Sequence, residues 1–522
     1  MEERMMKKIT TFIITLLISA TTVLMAQQPD AEYKLLSKKY VLNNNGNVDY
    51  TYHKELKLNS QRAFFSIYGE SFIVYNPEFQ TLKINEAYTL RADGSRVDAP
   101  KNAFVEQLPS ACADCGYYNA FREMVVVHTA LEKGATIVLD YTITSKLGVL
   151  LDKIVFAEDA PVTKYVVSVK VPSARDLNYA VKNPSAKVAL KQAGSQFTWT
   201  GTNLPQTTAE PYAPTADKMY PVLYLTTMDD LDNMLPTDFS LPHAVGDFVA
   251  GLSGDELDKA KKINEHVVRN LRLNNISLAQ TGLHFHNASE VWNANCGNAF
   301  EKTLLLNGLL QLAGLQSKVA FRNDTLKCNG KDFYFPLSEY VTFDWLDQKY
   351  ELSATHVGKL EPVGKSLNAK SVAVEDKYIL TAEGKTLKCN GKKGDVELHQ
   401  IAEGYYSLTL ERPLGVFGMM PGLLVGKRTA PLVCGTAKEV YHYTVTLPKN
   451  VRWVGKPIDV TISKPFGYMQ IKVVQKDNQL EVVRSLSLTE AEIPVAQYND
   501  FKAMLLKWTD ENYKRLVFSV EN

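Results

Sequence analysis

From Tyr33 to about Thr226, apolar and polar residues alternate in runs such as VDYTYHKELKL, TIVLDYTI and KYVVSVKVP. Successive side chains of a strand point to opposite faces, so this period predicts strands with one buried face. Asn45-Gly46 and Asp93-Gly94 fall between such runs and predict tight turns. Between Asp255 and Leu273 the period changes, with Leu257, Ile263, Val267, Val268 and Leu271 recurring at three- and four-residue steps, which predicts a helix. After a polar stretch containing His284 and His286 comes a second helical pattern. Phe300, Leu304, Leu305, Leu309, Leu312 and Ala313 form one face, and Leu306 and Leu310 widen it, so this helix is expected to be buried on most sides. Strands are predicted in KVAFRN, YVTFDWL and KYELSA. Beyond about Gly364 the alternating pattern returns in EVYHYTVTLP, IDVTIS, MQIKVVQKD and LEVVRSLSL, punctuated by Pro and tight turns as in a β-sandwich. A helix over roughly Pro494 to Glu511 and a strand from Leu516 to Val520 close the chain.

The order of elements gives an α+β multidomain fold: an antiparallel β domain, a central α+β core and a C-terminal β-sandwich. A chain of 522 residues, 45% of them hydrophobic, can bury several cores and has the length of about three domains. The expected boundaries are 1–26 for a leader, then 27–235, 236–364 and 365–522. The leader has Arg4, Lys7 and Lys8 ahead of an apolar run from Ile9 to Met25, with the small Ala26 as cleavage position. This is the layout of a secretory signal peptide; the alternative is a retained membrane anchor. Cleavage leaves 55 basic and 55 acidic residues. A neutral chain with no basic block has no electrostatic footprint for nucleic acid or for an anionic membrane surface, and neither partner is expected. The protein is expected to be exported, to the periplasm or the cell surface, without a cofactor.

Export places six cysteines in an oxidising compartment. The favoured pairs are Cys112 with Cys115 and Cys328 with Cys389, leaving Cys296 with Cys434. The second pair rests on the repeat TLKCNGK, at Thr325 to Lys331 and again at Thr386 to Lys392, each copy read as a strand entering an Asn-Gly turn; chance similarity of polar turns is the other reading. Cys112-x-x-Cys115 has no βαβ flanks and no second cysteine pair nearby, which favours a structural bridge over a thioredoxin-like or zinc site. His284 and His286 project to one side if they lie on a strand, but two ligands are too few for a zinc site, and no metal is expected. Pro413 to Gly426 is an apolar loop-like run, read as buried between domains or as a contact surface.

GNAFEKTLLLNGLLQLAGL, Gly297 to Leu315, resembles without a gap the nucleophile helix of transglutaminase-like proteins, whose usual form is close to GDCKDKALLLVALLRAAGI. The segments flanking it resemble the β-rich domain that precedes such cores in exported bacterial proteins and the C-terminal domain that accompanies them. An active site of this family needs a thiolate, an imidazole that takes and returns its proton, and a carboxylate that orients the imidazole. The resemblance puts Ala299 at the position of the thiol. The stretch SEYVTFDWLDQKYELSAT, Ser338 to Thr355, resembles the paired strands that carry the other two residues, and puts Glu339 at the His position and Ser353 at the Asp position. All three are changed, while Trp292, Gly297, Lys302 and Gly314 remain.

A methyl group cannot attack a carbonyl, so the resemblance implies a kept fold and lost chemistry. The expected function is binding or scaffolding of a peptide, a glycan or an envelope protein at a cleft formed by Trp292, Ala299, Glu339 and Ser353. The alternative is a cysteine-dependent peptidase, amidase or acyltransferase that uses Cys296, with His284, His286 or His356 as base.

Overall fold

A computed structural model describes residues 28–521 apart from 67, 147–148, 229–240, 278–279, 282, 359, 364–369, 411–421 and 425. The expected leader, the boundaries at 235 and 364 and most of the Pro413 to Gly426 run lie outside these residues. Most described elements are strands, arranged in several sheets, and the chain divides into two compact units. One comprises Met1–Thr207 with Met219–Gly364, the other Thr208–Lys218 with Lys365–Asn522.

The first unit holds an eight-stranded sheet. In it Ala31–Leu42 pairs antiparallel with Val48–Leu58 and parallel with Val162–Lys170. Gly46, at φ +84°, makes the predicted turn between the first two strands. The alternating pattern buries Leu36, Leu56, Tyr165, Val167 and Trp199 in one core. Lys54 shares the apolar face of its strand; its Nζ donates to Ser71 Oγ at 2.6 Å, and Ser71 Oγ lies 2.8 Å from His128 Nε2. Burial holds Lys54 down to about 8 and His128 to about 3, so His128 is neutral at neutral pH and Lys54 gives up its proton more readily than an exposed lysine. Two three-stranded sheets, Asn178–Lys182 with Val222–Thr226 and Leu151–Val155, and Glu70–Tyr75 with Arg122–Val127 and Phe104–Gln107, belong with the eight-stranded sheet to the N-terminal β part of this unit.

Besides a short helix at Gln61–Ser66, the helices of this unit that surround the site are α1 (His243–Ala250), α2 (Glu256–Asn270), α3 (Ala288–Ala294) and α4 (Ala299–Leu312). Asp255 caps α2 through its side chain, and Ala260, Ile263 and Val267 form its buried stripe. Every residue of α4 from Phe300 through Leu310 is buried, as the two-sided apolar pattern requires. Leu312, expected on the buried face, is 50% exposed because the helix ends there. Gly314, at φ +90°, terminates it: its N–H bonds Gln311 O and the Leu315 N–H bonds Leu310 O, the double closure of a Schellman motif. Next in the chain is a three-stranded antiparallel sheet, Ser317–Cys328, Lys331–Trp345 and Gln348–Leu352.

The two copies of TLKCNGK do not fold alike. In the first, Asn329 and Gly330 are both left-handed and form the hairpin turn between Cys328 and Lys331. In the second, Asn390 and Gly391 pair with Asp395 and Gly394, so they belong to the strand and the turn moves to Lys392 and Lys393. The difference comes from the residues downstream of the repeat, since Gly394 supplies a later position that accepts φ +113°.

In the second unit a seven-stranded and a four-stranded sheet share one core with α5 (Tyr498–Thr509), which buries Tyr498, Phe501, Met504, Leu505 and Trp508. The short segment Thr208–Lys218 is tied into this unit by Glu210. Its carboxylate accepts from Thr429 N and Oγ1, both at 2.7 Å, and lies 3.5 Å from Arg428 Nε.

Candidate functional site

Ala299 is the first residue of α4. Asn298 caps the helix, its Oδ1 accepting from Glu301 N at 2.9 Å, and Glu301 returns a bond to Asn298 N at 2.8 Å. The Ala299 side chain, just inside the capping box, lines a cleft of about 380 Å³. Glu339, on the middle strand of the antiparallel sheet, lines the same cleft, together with Phe300, Phe321, Asp152 and Lys153. Burial pushes the Glu339 carboxyl above its usual range. Ser353 comes just after the third strand and lies outside this lining: its carbonyl accepts from Asn264 Nδ2 at 2.6 Å and its hydroxyl lies 3.0 Å from Thr355 Oγ1. Trp292 is also outside it, with its ring stacked on His266 and tilted against Phe248.

A second cleft, of about 410 Å³, shares Leu151, Asp152 and Ser277 with the first. Tyr40, Tyr50, Tyr141 and Phe72 line it, and Phe72 is 57% exposed. Tyr40 donates to Asp152 Oδ2 at 2.5 Å, which fixes the carboxylate at the junction of the two clefts.

Beneath the α4 N-terminus lies a buried ionic network. Glu301, with no exposed surface, accepts from His286 N and Nδ1, both at 2.8 Å, from Asn298 N and from the Tyr118 hydroxyl. Burial alone would raise the Glu301 carboxyl, but these bonds outweigh it and hold it below its ordinary value. For His286 burial works downward, and the Glu301 carboxylate reverses it to leave the imidazole above its ordinary value. The Asn-x-x-Glu spacing before an apolar run was the available signal for the capping half of this network. Nothing local marked Tyr118, which is 183 residues away from Glu301.

The cysteines pair differently from the expectation. Cys115 is joined to Cys296, and Cys112, Cys328, Cys389 and Cys434 are buried free thiols. This replaces all three expected pairs, because the loop carrying Cys115 packs on the strand-like step before α4, where Cys112, Cys115, Tyr118, Phe121, Ile276 and Cys296 form one apolar cluster. The sulfur of Cys296 is thus bonded, and His286, one of its suggested bases, is engaged by Glu301. His284 and His286 lie on irregular chain and not on a strand, so the alternation that would aim both to one side does not apply; His284 sits against Phe79 instead. His356 is exposed beyond the third strand.

Two family models match the chain: a domain of unknown function with a solved structure (DUF3857) at residues 44–208, and another (DUF3858) at residues 423–518. A crystal structure from Parabacteroides distasonis, described as that of "a putative protease", is 29% identical, with a TM-score of 0.74 over 94% of this chain and 99% of that one. An M1 zinc metallopeptidase from Deinococcus radiodurans is 12% identical over 47% of this chain and 54% of that one, but its TM-score of 0.18 carries no argument. No curated protein matches. The two domain matches and the Parabacteroides structure fit a bacterial transglutaminase-like protein.

Proposed function

We propose that this is an exported protein with a transglutaminase-like core that has lost thiol chemistry and binds a peptide or glycan of the cell envelope. The proposal keeps the three-domain division at 27–235, 236–364 and 365–522 and the leader at 1–26. The observation that carries it is the meeting of Ala299 and Glu339 in one cleft with no thiol between them. The Ala299 methyl group, the Glu339 carboxyl of raised pKa and the aromatic side chains of this lining can seat a neutral or basic chain but offer no thiol. The adjoining cleft, with its three tyrosines and Asp152, lengthens the surface to that of several residues or sugar rings.

Ala299→Trp fills the cleft while keeping the helix start. Titration of peptidoglycan-derived peptides and envelope glycans is expected to show binding to the native protein and at least a tenfold loss in the variant, about 1.4 kcal/mol. Equal affinities for both proteins would exclude this cleft as the site. The second reading, a hydrolase acting through Cys296, is favoured by the description of the Parabacteroides protein and opposed by the Cys115–Cys296 bond. Rapid labelling of Cys296 by iodoacetamide in the untreated protein would favour it.

A further inference from the structure

Cys112 to Cys115 is a β-turn. The Cys115 N–H donates to Cys112 O at 3.2 Å, Ala113 has φ −56° and ψ 138°, and Asp114 has φ +59°. These are type II values, and such a turn brings its first and fourth Cα atoms within about 7 Å. A disulfide spans Cα atoms about 4.4–6.8 Å apart. Cys115 therefore has two cysteines within bonding reach: Cys296, to which it is joined at a Cα separation of 5.9 Å, and Cys112, a fully buried free thiol. All three lie in the same apolar cluster, closed by Tyr118, Phe121 and Ile276.

We propose that Cys112, Cys115 and Cys296 form a thiol–disulfide exchange site in which Cys112 displaces Cys296 from Cys115. The Cys112 thiolate attacks Cys115 Sγ. A Cys112–Cys115 bond forms as the Cys115–Cys296 bond breaks, and the bonding pair leaves on Cys296, which takes up the proton that Cys112 lost. One disulfide and one thiol are present before and after, so no outside oxidant or reductant is consumed. Burial raises the Cys112 thiol, while the Asn274 side chain and the Arg272 guanidinium work against that rise and the Glu123 carboxylate adds to it. Arg272 is held at the turn by Ala113 O and Asp114.

The exchange cuts the only described disulfide, a covalent tie across 181 residues between the β part of the first unit and the approach to α4. It also frees a thiol two residues before Asn298, which lines the cleft. The first unit thus has two covalent isomers, one with the turn tied to α4 and one with the turn closed on itself.

The test uses the full chain, oxidised, held at several pH values from neutral to mildly alkaline, quenched in acid, alkylated and mapped as non-reduced peptides. The expected result is a second population with Cys112–Cys115 linked and Cys296 alkylated. Its rate of appearance should rise about tenfold per pH unit below the pKa of Cys112, as the thiolate fraction does. In Cys112→Ser that population should vanish. If Cys112 is the one alkylated cysteine of these three at every pH, with Cys115–Cys296 intact, the proposal is overturned. In Cys296→Ser, oxidised glutathione should drive Cys112 and Cys115 into a single intramolecular bond; persistence of two glutathione adducts or two free thiols would show that the turn cannot close. These readouts are peptide masses, so they stand whether or not the cleft binds a ligand.

Discussion

Glu301 shows how one buried carboxylate is made tolerable and what it costs to change it. It receives four hydrogen bonds, two of them from the single residue His286, and its side chain has no exposed surface. Its folded pKa lies below the ordinary 4.5, so its stabilisation is present above that value and is lost as pH falls through the folded one. His286 lies above the ordinary 6.5, so its share is complete below that value and is lost as pH rises through the folded one. Both are fully present between 4.5 and 6.5. Glu301→Gln is expected to destabilise the first unit by about 3 kcal/mol in that window, since it breaks a buried pair. The loss should shrink on both the acid and the alkaline side. Urea denaturation across pH would show this as a bell in the native protein that is flattened in the variant; a difference that stays constant on the alkaline side would mean that His286 is not charged in the folded state.

At the scale of elements, α4 is a helix whose ends are set by local chemistry and whose body is set by burial. Asn298 and Glu301 start it, and Gly314 stops it at φ +90°. A Cβ built on Gly314 meets nothing within 4 Å, so the cost of Gly314→Ala is that of the left-handed backbone alone, about 1 kcal/mol. Gly314→Asn should cost less, because Asn tolerates this conformation better. Denaturant midpoints of the two variants check it, and a loss above about 3 kcal/mol in the alanine variant would indicate a packing role instead. The helix boundaries, the hairpin at Asn329-Gly330 and the closing helix could be read from the chain because each depends on neighbours a few residues away. The second TLKCNGK copy could not, since the same heptapeptide is a turn in one setting and a strand in another.

At the scale of the whole molecule, the second unit is assembled from two stretches far apart in sequence. Arg428, whose side chain has no exposed surface, donates to Pro211 O, Ala430 O and Pro431 O and faces Glu210. Arg428→Ala leaves these acceptors and a carboxylate without their cation. It is expected to cost the second unit about 3 kcal/mol and to open residues 208–218 to limited proteolysis, with the unfolding of the first unit unchanged. Cleavage elsewhere first would mean that this ion pair does not hold the segment. The sequence by itself determined where the three longest helices and the alternating strands run, which of their faces are apolar, and that Ala299 cannot attack a carbonyl, because periodicity and side-chain chemistry are local properties of the chain. Only the tertiary structure decided that Ala299 and Glu339 share a cleft that Ser353 and Trp292 do not line, that Tyr118 reaches Glu301, and that Cys115 bonds Cys296. Those pairings join residues up to 183 positions apart, and no local pattern encodes which of several buried thiols or phenols a folded chain brings within a few ångströms of one another.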